Sequence, residues 1–155
     1  MRILSFDFGR RWAWCSADDE KPVSEWAWGR GDCGAGGLGE RMSRFKEEVV
    51  EIFVRERPDA IAYEEVLSAR GRGASLILPQ TGLVAVEAQN LGLFCAGINA
   101  TSLKKFATGR GNADKPDMLA SLLKREGWRE VLEDKILVTN DEIDAIFYAS
   151  SRSPY

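Results

Sequence analysis

A chain of 155 residues, 45% hydrophobic and 29% charged, can bury one core without help from disulfides or a structural metal. It has no histidine, and its three cysteines, Cys15, Cys33 and Cys95, form no CxxC pair, which excludes most zinc sites, histidine-based triads and secreted disulfide frameworks. The net charge of −3 conceals a split, because between Leu67 and Lys115 the bases Arg70, Arg72, Lys104, Lys105, Arg110 and Lys115 face only Glu87 and Asp114.

Any bound metal must therefore take oxygen ligands, which favours magnesium or manganese. A basic middle on an acidic body is compatible with phosphate contacts, although ordinary surface charge explains it equally on composition alone. No apolar run approaches the ~20 residues of a membrane span. Asp7 interrupts the N-terminal apolar stretch, which also lacks a small-residue cleavage site, so a cytoplasmic protein without a signal peptide is expected.

In chain order, Arg2 to Phe8 reads as a strand, with Ile3, Ser5 and Asp7 on one face and Leu4, Phe6 and Phe8 on the other. Gly9-Arg10-Arg11 makes a turn into a second strand, Trp12 to Ala17. Val23 to Trp28 is expected as a third strand, and the six glycines from Gly29 to Gly39 as a loop. Leu38 to Arg57 has helical spacing at Met42, Phe45, Val49, Ile52 and Phe53, closed by Pro58. Asp59 to Val66 is a strand, Ser68 to Gly73 a basic loop, Ser75 to Leu91 an apolar helix, and Leu93 to Asn99 a short buried strand. A helical turn or two at Ser102 to Ala107 precedes the Gly109/Gly111 loop. Lys115 to Glu126 is a helix with Asp114 as N-cap and Pro116 in its first turn. The last helix runs from Thr139 to about Ser151, and Thr139-Asn140-Asp141-Glu142 has capping-box spacing. The expected architecture is α/β, a mixed central sheet flanked by helices, in a single domain over residues 1–155. The tryptophans Trp12, Trp14, Trp26 and Trp28 alternate on adjacent strands and read as packing.

Four acids stand where acids are expensive. Asp7 lies inside an apolar strand, Glu64 ends another, and Asp141 and Asp144 share one face of an otherwise apolar helix. Each alone has an ordinary explanation. Asp7 could cap the turn through the amides of Gly9 and Arg10, Asp141 and Glu142 suit a helix N-terminus, and Asp144 could pair with a lysine. Together they describe converging carboxylates, which repel unless a cation sits among them. Two Mg²⁺ or Mn²⁺ ions would resolve that repulsion and supply phosphodiester hydrolysis, one activating water and the other stabilising the leaving 3′ oxygen.

These residues resemble the RuvC-type Holliday junction resolvases of the ribonuclease H-like superfamily, from end to end of the chain. Ile3 to Gly9 is similar to that family's first strand, Ile61 to Val66 to the strand carrying its catalytic Glu, which points to Glu64 rather than Glu65, and Asn140 to Ala145 to its final DxxDA helix. The most specific stretch is Lys104 to Lys115, which resembles the family's Lys…Gly-x-Gly-x-Ala-Asp-Lys segment. The resemblance is somewhat closer to the phage and viral branch. It implies a ribonuclease H-like fold, Asp7, Glu64, Asp141 and Asp144 as catalytic metal ligands for two ions, and Lys104 and Lys115 beside the scissile phosphate. It also implies a 5′ phosphate product and a homodimer formed partly through the Ser75–Leu91 helix. Three departures stand out. Leu67 occupies the position of an aromatic residue, the last helix lacks a histidine so that Lys115 or a metal-bound hydroxide must serve, and the pI of 5.2 is acidic.

The loop after Glu64 carries Arg70 and Arg72 between glycines and is expected, with Lys104, Lys105, Arg110 and Lys115, to follow a DNA backbone. The expected function is thus a crossover junction endodeoxyribonuclease, homodimeric, with no membrane role. The alternatives are a ribonuclease H-like nuclease on RNA or hybrids, an actin-like nucleotide-binding protein, and a junction-binding protein that does not cut.

Overall fold

A computed structural model of the chain describes residues 1–65, 74–133 and 139–150. Its five strands are β1 (Arg2–Asp7), β2 (Arg11–Asp18), β3 (Ala27–Asp32), β4 (Ala60–Glu64) and β5 (Phe94–Ile98). They form one sheet in the order β3-β2-β1-β4-β5. β1 pairs antiparallel with β2, and β2 with β3, whereas β1–β4 and β4–β5 are parallel. The helices are α1 (Leu38–Glu56), α2 (Ala74–Asn90), α3 (Ala100–Thr108), α4 (Lys115–Leu123), α5 (Trp128–Glu133) and α6 (Asn140–Ser150).

The alternation in β1 separates two cores. Leu4, Phe6 and Phe8 join Trp12, Phe45, Val49, Phe53 and Val84 under α1 and α2. On the other face, Ala13, Cys15 and Ala17 are small enough for α6 to lie close, and α3, α4 and α5 close that side with Leu103, Met118, Leu122 and Trp128. Burying a side chain such as Phe45 or Leu122 contributes about 2 kcal/mol. Glu40 starts α1 by accepting a hydrogen bond from the Gly37 amide at 2.8 Å. Arg57 ends it in the left-handed region, at φ 49°, just before Pro58. Among the described residues no helix is long and apolar enough to cross a membrane.

Two expectations need correction. Val23–Glu25 is a turn of 3-10 helix rather than strand, and β3 runs on through Gly29 and Gly31, which the sequence placed in a loop. The indoles of β2 explain this. Trp14 pairs with Gly29 and Trp12 with Gly31 in register, and each ring lies over its partner. A Cβ on Gly31 would fall inside contact distance of the Trp12 ring and 2.6 Å from Glu48 Oε2. The glycines are therefore receptacles for aromatic rings, and their lost strand propensity is recovered as packing. The second correction concerns β5, which is an edge strand with Phe94 62% exposed, not a buried one.

Candidate active site

The site forms where the parallel strands end. Phe6 pairs with Tyr63, so one residue further on Asp7 and Glu64 leave the sheet side by side at the carboxyl ends of β1 and β4. α6 crosses the same face and is fixed there by Ser5, whose buried hydroxyl lies 2.6 Å from the Ala145 carbonyl oxygen and 3.2 Å from that of Cys15. That anchor sits beside Asp144 in sequence and two residues before Asp7. A serine in an otherwise apolar strand thereby holds the helix bearing one acid against the strand bearing another. The start of α6 is set by the expected box: Thr139 N and Oγ1 donate to Glu142 Oε2 at 2.8 and 3.0 Å, and Glu142 N donates to Thr139 Oγ1 at 3.3 Å. Glu142 is thus the capping acid; Asp144 lines the site, and Asp141 lies near enough to act on the charges of Asp7 and Asp144.

The electrostatics show the convergence. Burial, then the charges of Asp144, Glu64 and Asp141, push the Asp7 carboxyl up to about 8, with Lys115 acting against them. Burial raises Asp144 to about 6; Lys115 and Lys104 pull it down, while Glu64 and Asp141 push it up. Glu64 is raised by burial and drawn back by Lys104. The leading influences on the Asp7 carboxyl are burial and the neighbouring acids rather than a hydrogen bond from the turn amides of Gly9 and Arg10. Glu65 is exposed and its amide donates to the Ile98 carbonyl, whereas the half-buried Glu64 is the one of the pair that lines the pocket beside Asp144.

A small pocket opens here, lined by Glu64, Lys104, Lys115, Asp144 and Tyr148 among others. The glycine-containing segment brings the lysines to it. Gly109 ends α3 in the left-handed region at φ 80°, and a Cβ on Gly111 would meet Thr101 Cγ2 at 2.7 Å. The turn can then fold back against α3. Asp114 caps α4 by accepting from Asp117 N at 2.9 Å, and Lys115 begins that helix at the pocket rim. Lys105 is exposed outside the pocket, and Arg110 is held by Asp117 at 2.7 Å on the surface. Leu67, Arg70 and Arg72 lie outside the described residues.

Tyr148 is the site residue that the sequence reading passed over as core. It is buried, and its phenol is raised well above the ordinary range by burial and by Glu64, Asp7 and Asp144, so it remains a protonated donor. Its signal was its spacing, four residues after Asp144 on a helix whose inward face already carried acids.

All four acids offer the hard oxygen donors that magnesium and manganese prefer, and their mutual repulsion is what a divalent cation relieves. Among the described residues no three such groups are gathered tightly enough to clasp one ion. Magnesium commonly takes only one or two carboxylates and fills its shell with water. The donors present fit it in that manner, with Asp7, Glu64 and Asp144 innermost.

A mixed sheet in the order β3-β2-β1-β4-β5, with α6 crossing the face at the ends of the parallel pair β1 and β4, is a ribonuclease H-like fold. No protein-family model matches the chain. It is 38% identical over 90 residues to the crossover junction endodeoxyribonuclease RuvC of Mannheimia succiniciproducens, covering 54% of this chain and 44% of that protein. The chain spans about half the length of the curated relatives it matches. Among solved structures, Thermus thermophilus RuvC in complex with a Holliday junction superposes with a TM-score of 0.77 at 21% identity, over 96% of this chain and 90% of that one. The yeast mitochondrial Holliday junction resolvase Ydc2 gives 0.66 at 14% identity, over 96% and 76%. The chain is therefore similar to RuvC-type resolvases in sequence and shares their fold.

Proposed function

We propose that this protein is a divalent-metal-dependent endodeoxyribonuclease that cuts Holliday junctions and other branched DNA, acting as a homodimer in the cytoplasm. The observation that carries the proposal is the meeting of Asp7, Glu64 and Asp144, far apart in sequence, beside Lys104 and Lys115. Similarity to RuvC proteins, one of them solved with a Holliday junction, supports the substrate. Asp7, Glu64, Asp141 and Asp144 are the proposed metal ligands; Mg²⁺ or Mn²⁺ held there would activate water and neutralise charge on the leaving oxygen.

The chain's own groups do the rest. Lys104 Nζ and Lys115 Nζ draw the phosphodiester toward the acids and limit their repulsion. The Tyr148 hydroxyl donates to a carboxylate or phosphate oxygen. Asp7, raised to about 8, holds its proton near neutral pH, whereas Asp144, at about 6, is mostly ionised there; a cation held between them would displace the Asp7 proton. Lys105, Arg110, Arg70 and Arg72 are proposed to contact the backbone away from the cut. Leu78 and Val86 stand outward on α2, 55% and 56% exposed, which supports a second copy packing on that helix. A two-fold enzyme suits paired cuts in a junction of roughly two-fold symmetry.

The test is cleavage of an end-labelled four-way junction beside linear duplex, flap and RNA–DNA hybrid, in Mg²⁺, Mn²⁺ or EDTA, with Asp7→Asn as control. Metal-dependent cutting of the junction, lost in the variant, is expected. Binding without cutting in either metal refutes the nuclease assignment, and preference for the hybrid refutes the substrate.

A further inference from the structure

We propose that Gln80 is a positioning residue for Asp7, acting through the carbonyl of Gly9; the proposal rests on the reading of Asp7 as a metal ligand. Gln80 is fully buried on α2. Its Nε2 donates to the Gly9 carbonyl oxygen at 2.9 Å and lies 3.3 Å from Cys33 Sγ. Its Oε1 is buried and has no hydrogen-bond partner among the described residues.

An unpaired buried amide oxygen is costly, and a methionine of similar volume would fill the same space without that cost. Packing thus accounts for the size of this side chain and not for its amide. What the amide grips is the turn directly after the first acid. The β1–β2 ladder ends at the pair Asp7–Ala13, so Gly9 and Arg10 lie beyond its support. They are fastened instead to Cys33, whose amide donates to the Arg10 carbonyl at 2.9 Å and whose thiol lies 3.8 Å from the Gly9 oxygen. Arg44 of α1 holds the Cys33 carbonyl in turn, at 3.1 and 2.9 Å from Nε and Nη2. Gln80 adds the bond from α2.

This bracing has a purpose that follows from the site. Asp7 shares the strand ends with Glu64, near Asp144 and Asp141, and once it ionises to take a cation those like charges oppose its holding that place. Fixing the backbone two residues on resists that displacement. Partners that orient a ligating side chain in this indirect way affect metal affinity or activity by about ten- to a hundredfold.

The experiment compares wild type, Gln80→Met and Cys33→Ala as full chains. Three quantities are read: thermal stabilisation as Mn²⁺ is titrated without DNA, junction binding in EDTA, and junction cleavage. Gln80→Met is expected to melt within a few degrees of wild type and to bind the junction normally. It should need about ten- to a hundredfold more Mn²⁺ for half of the stabilisation, with cleavage slowed at limiting metal and recovered at saturation. Cys33→Ala, which leaves the amide on Gly9, should stay close to wild type in all three. An unchanged Mn²⁺ response in Gln80→Met overturns the proposal, as does its failure to fold or a loss of junction binding. A wild type that binds Mn²⁺ but never cuts defeats the nuclease reading instead, and the Mn²⁺ comparison still judges Gln80. A wild type blind to Mn²⁺ overturns both.

Discussion

Replacing Asp7 by asparagine should make the metal-free protein more stable, and increasingly so as pH rises. In the native state the Asp7 carboxyl is pushed up to about 8, from an ordinary value of 3.8. The native chain therefore keeps a proton that the unfolded chain has already released, and its stability declines from about pH 4 until the native group has also ionised, above about pH 8. A displacement of about four units, at ~1.4 kcal/mol each, sets a ceiling on the order of 5 kcal/mol above pH 8 and about 3 kcal/mol at pH 6. Asparagine escapes the charge but still buries a polar amide, so roughly half the ceiling is expected. At about 2–4 °C per kcal/mol for a domain of this size, Asp7→Asn should melt about 5–10 °C above wild type at pH 8 in EDTA. Near pH 4.5 the two should nearly coincide. Adding Mn²⁺ should raise wild type and leave the variant where it was. Scanning calorimetry at the two pH values decides the matter, and a gap that is absent at pH 8, or equal at both, refutes the account of the site as strained by its own charges.

Other perturbations reach separate links. Ser5→Ala removes the hydroxyl that ties β1 to α6 and should cost about 1–2 kcal/mol by denaturant unfolding, with cleavage reduced further than stability explains. Gly31→Ala forces the buried Trp12 ring aside and should cost about 1–3 kcal/mol; an unchanged melting temperature would contradict the ring-over-glycine packing. Lys115→Met should weaken junction binding and flatten its salt dependence while raising the Asp7 and Asp144 carboxyls further, a shift readable by carboxyl-carbon NMR titration. Glu142→Ala should lose about 1 kcal/mol through the cap alone, and a much greater loss of cleavage would place it in the site instead.

The sequence marked out the candidate site more clearly than the sheet that carries it. Asp7, Glu64, Asp141 and Asp144 were visible because a charge inside an apolar segment contradicts its surroundings, and such contradictions survive without any knowledge of tertiary contacts. The bounds of α1 and the caps at Asp114 and Thr139 were legible for a similar reason, as their chemistry is local. β3 was not. Gly29 and Gly31 belong in a strand only because Trp14 and Trp12 lie over them from β2, and no window along the chain contains that fact. Tyr148 went unnoticed as a site residue because a tyrosine among Ile, Phe and Ala reads as core until the acids are placed around it. Gln80 was invisible for the same cause, since its one informative property is the carbonyl it reaches, seventy-one positions away.

The order of the acids along the chain governs when they can meet. Asp7 and Glu64 belong to strands completed early, but Asp144 reaches them only when α6 lies down over β1 and Ser5 captures the Ala145 carbonyl. A chain in which β1 has paired with β4 but α6 has not yet docked holds no more than half of its candidate ligands. The candidate ligand set is thus completed only by the docking of α6, whatever the order in which the strands have paired.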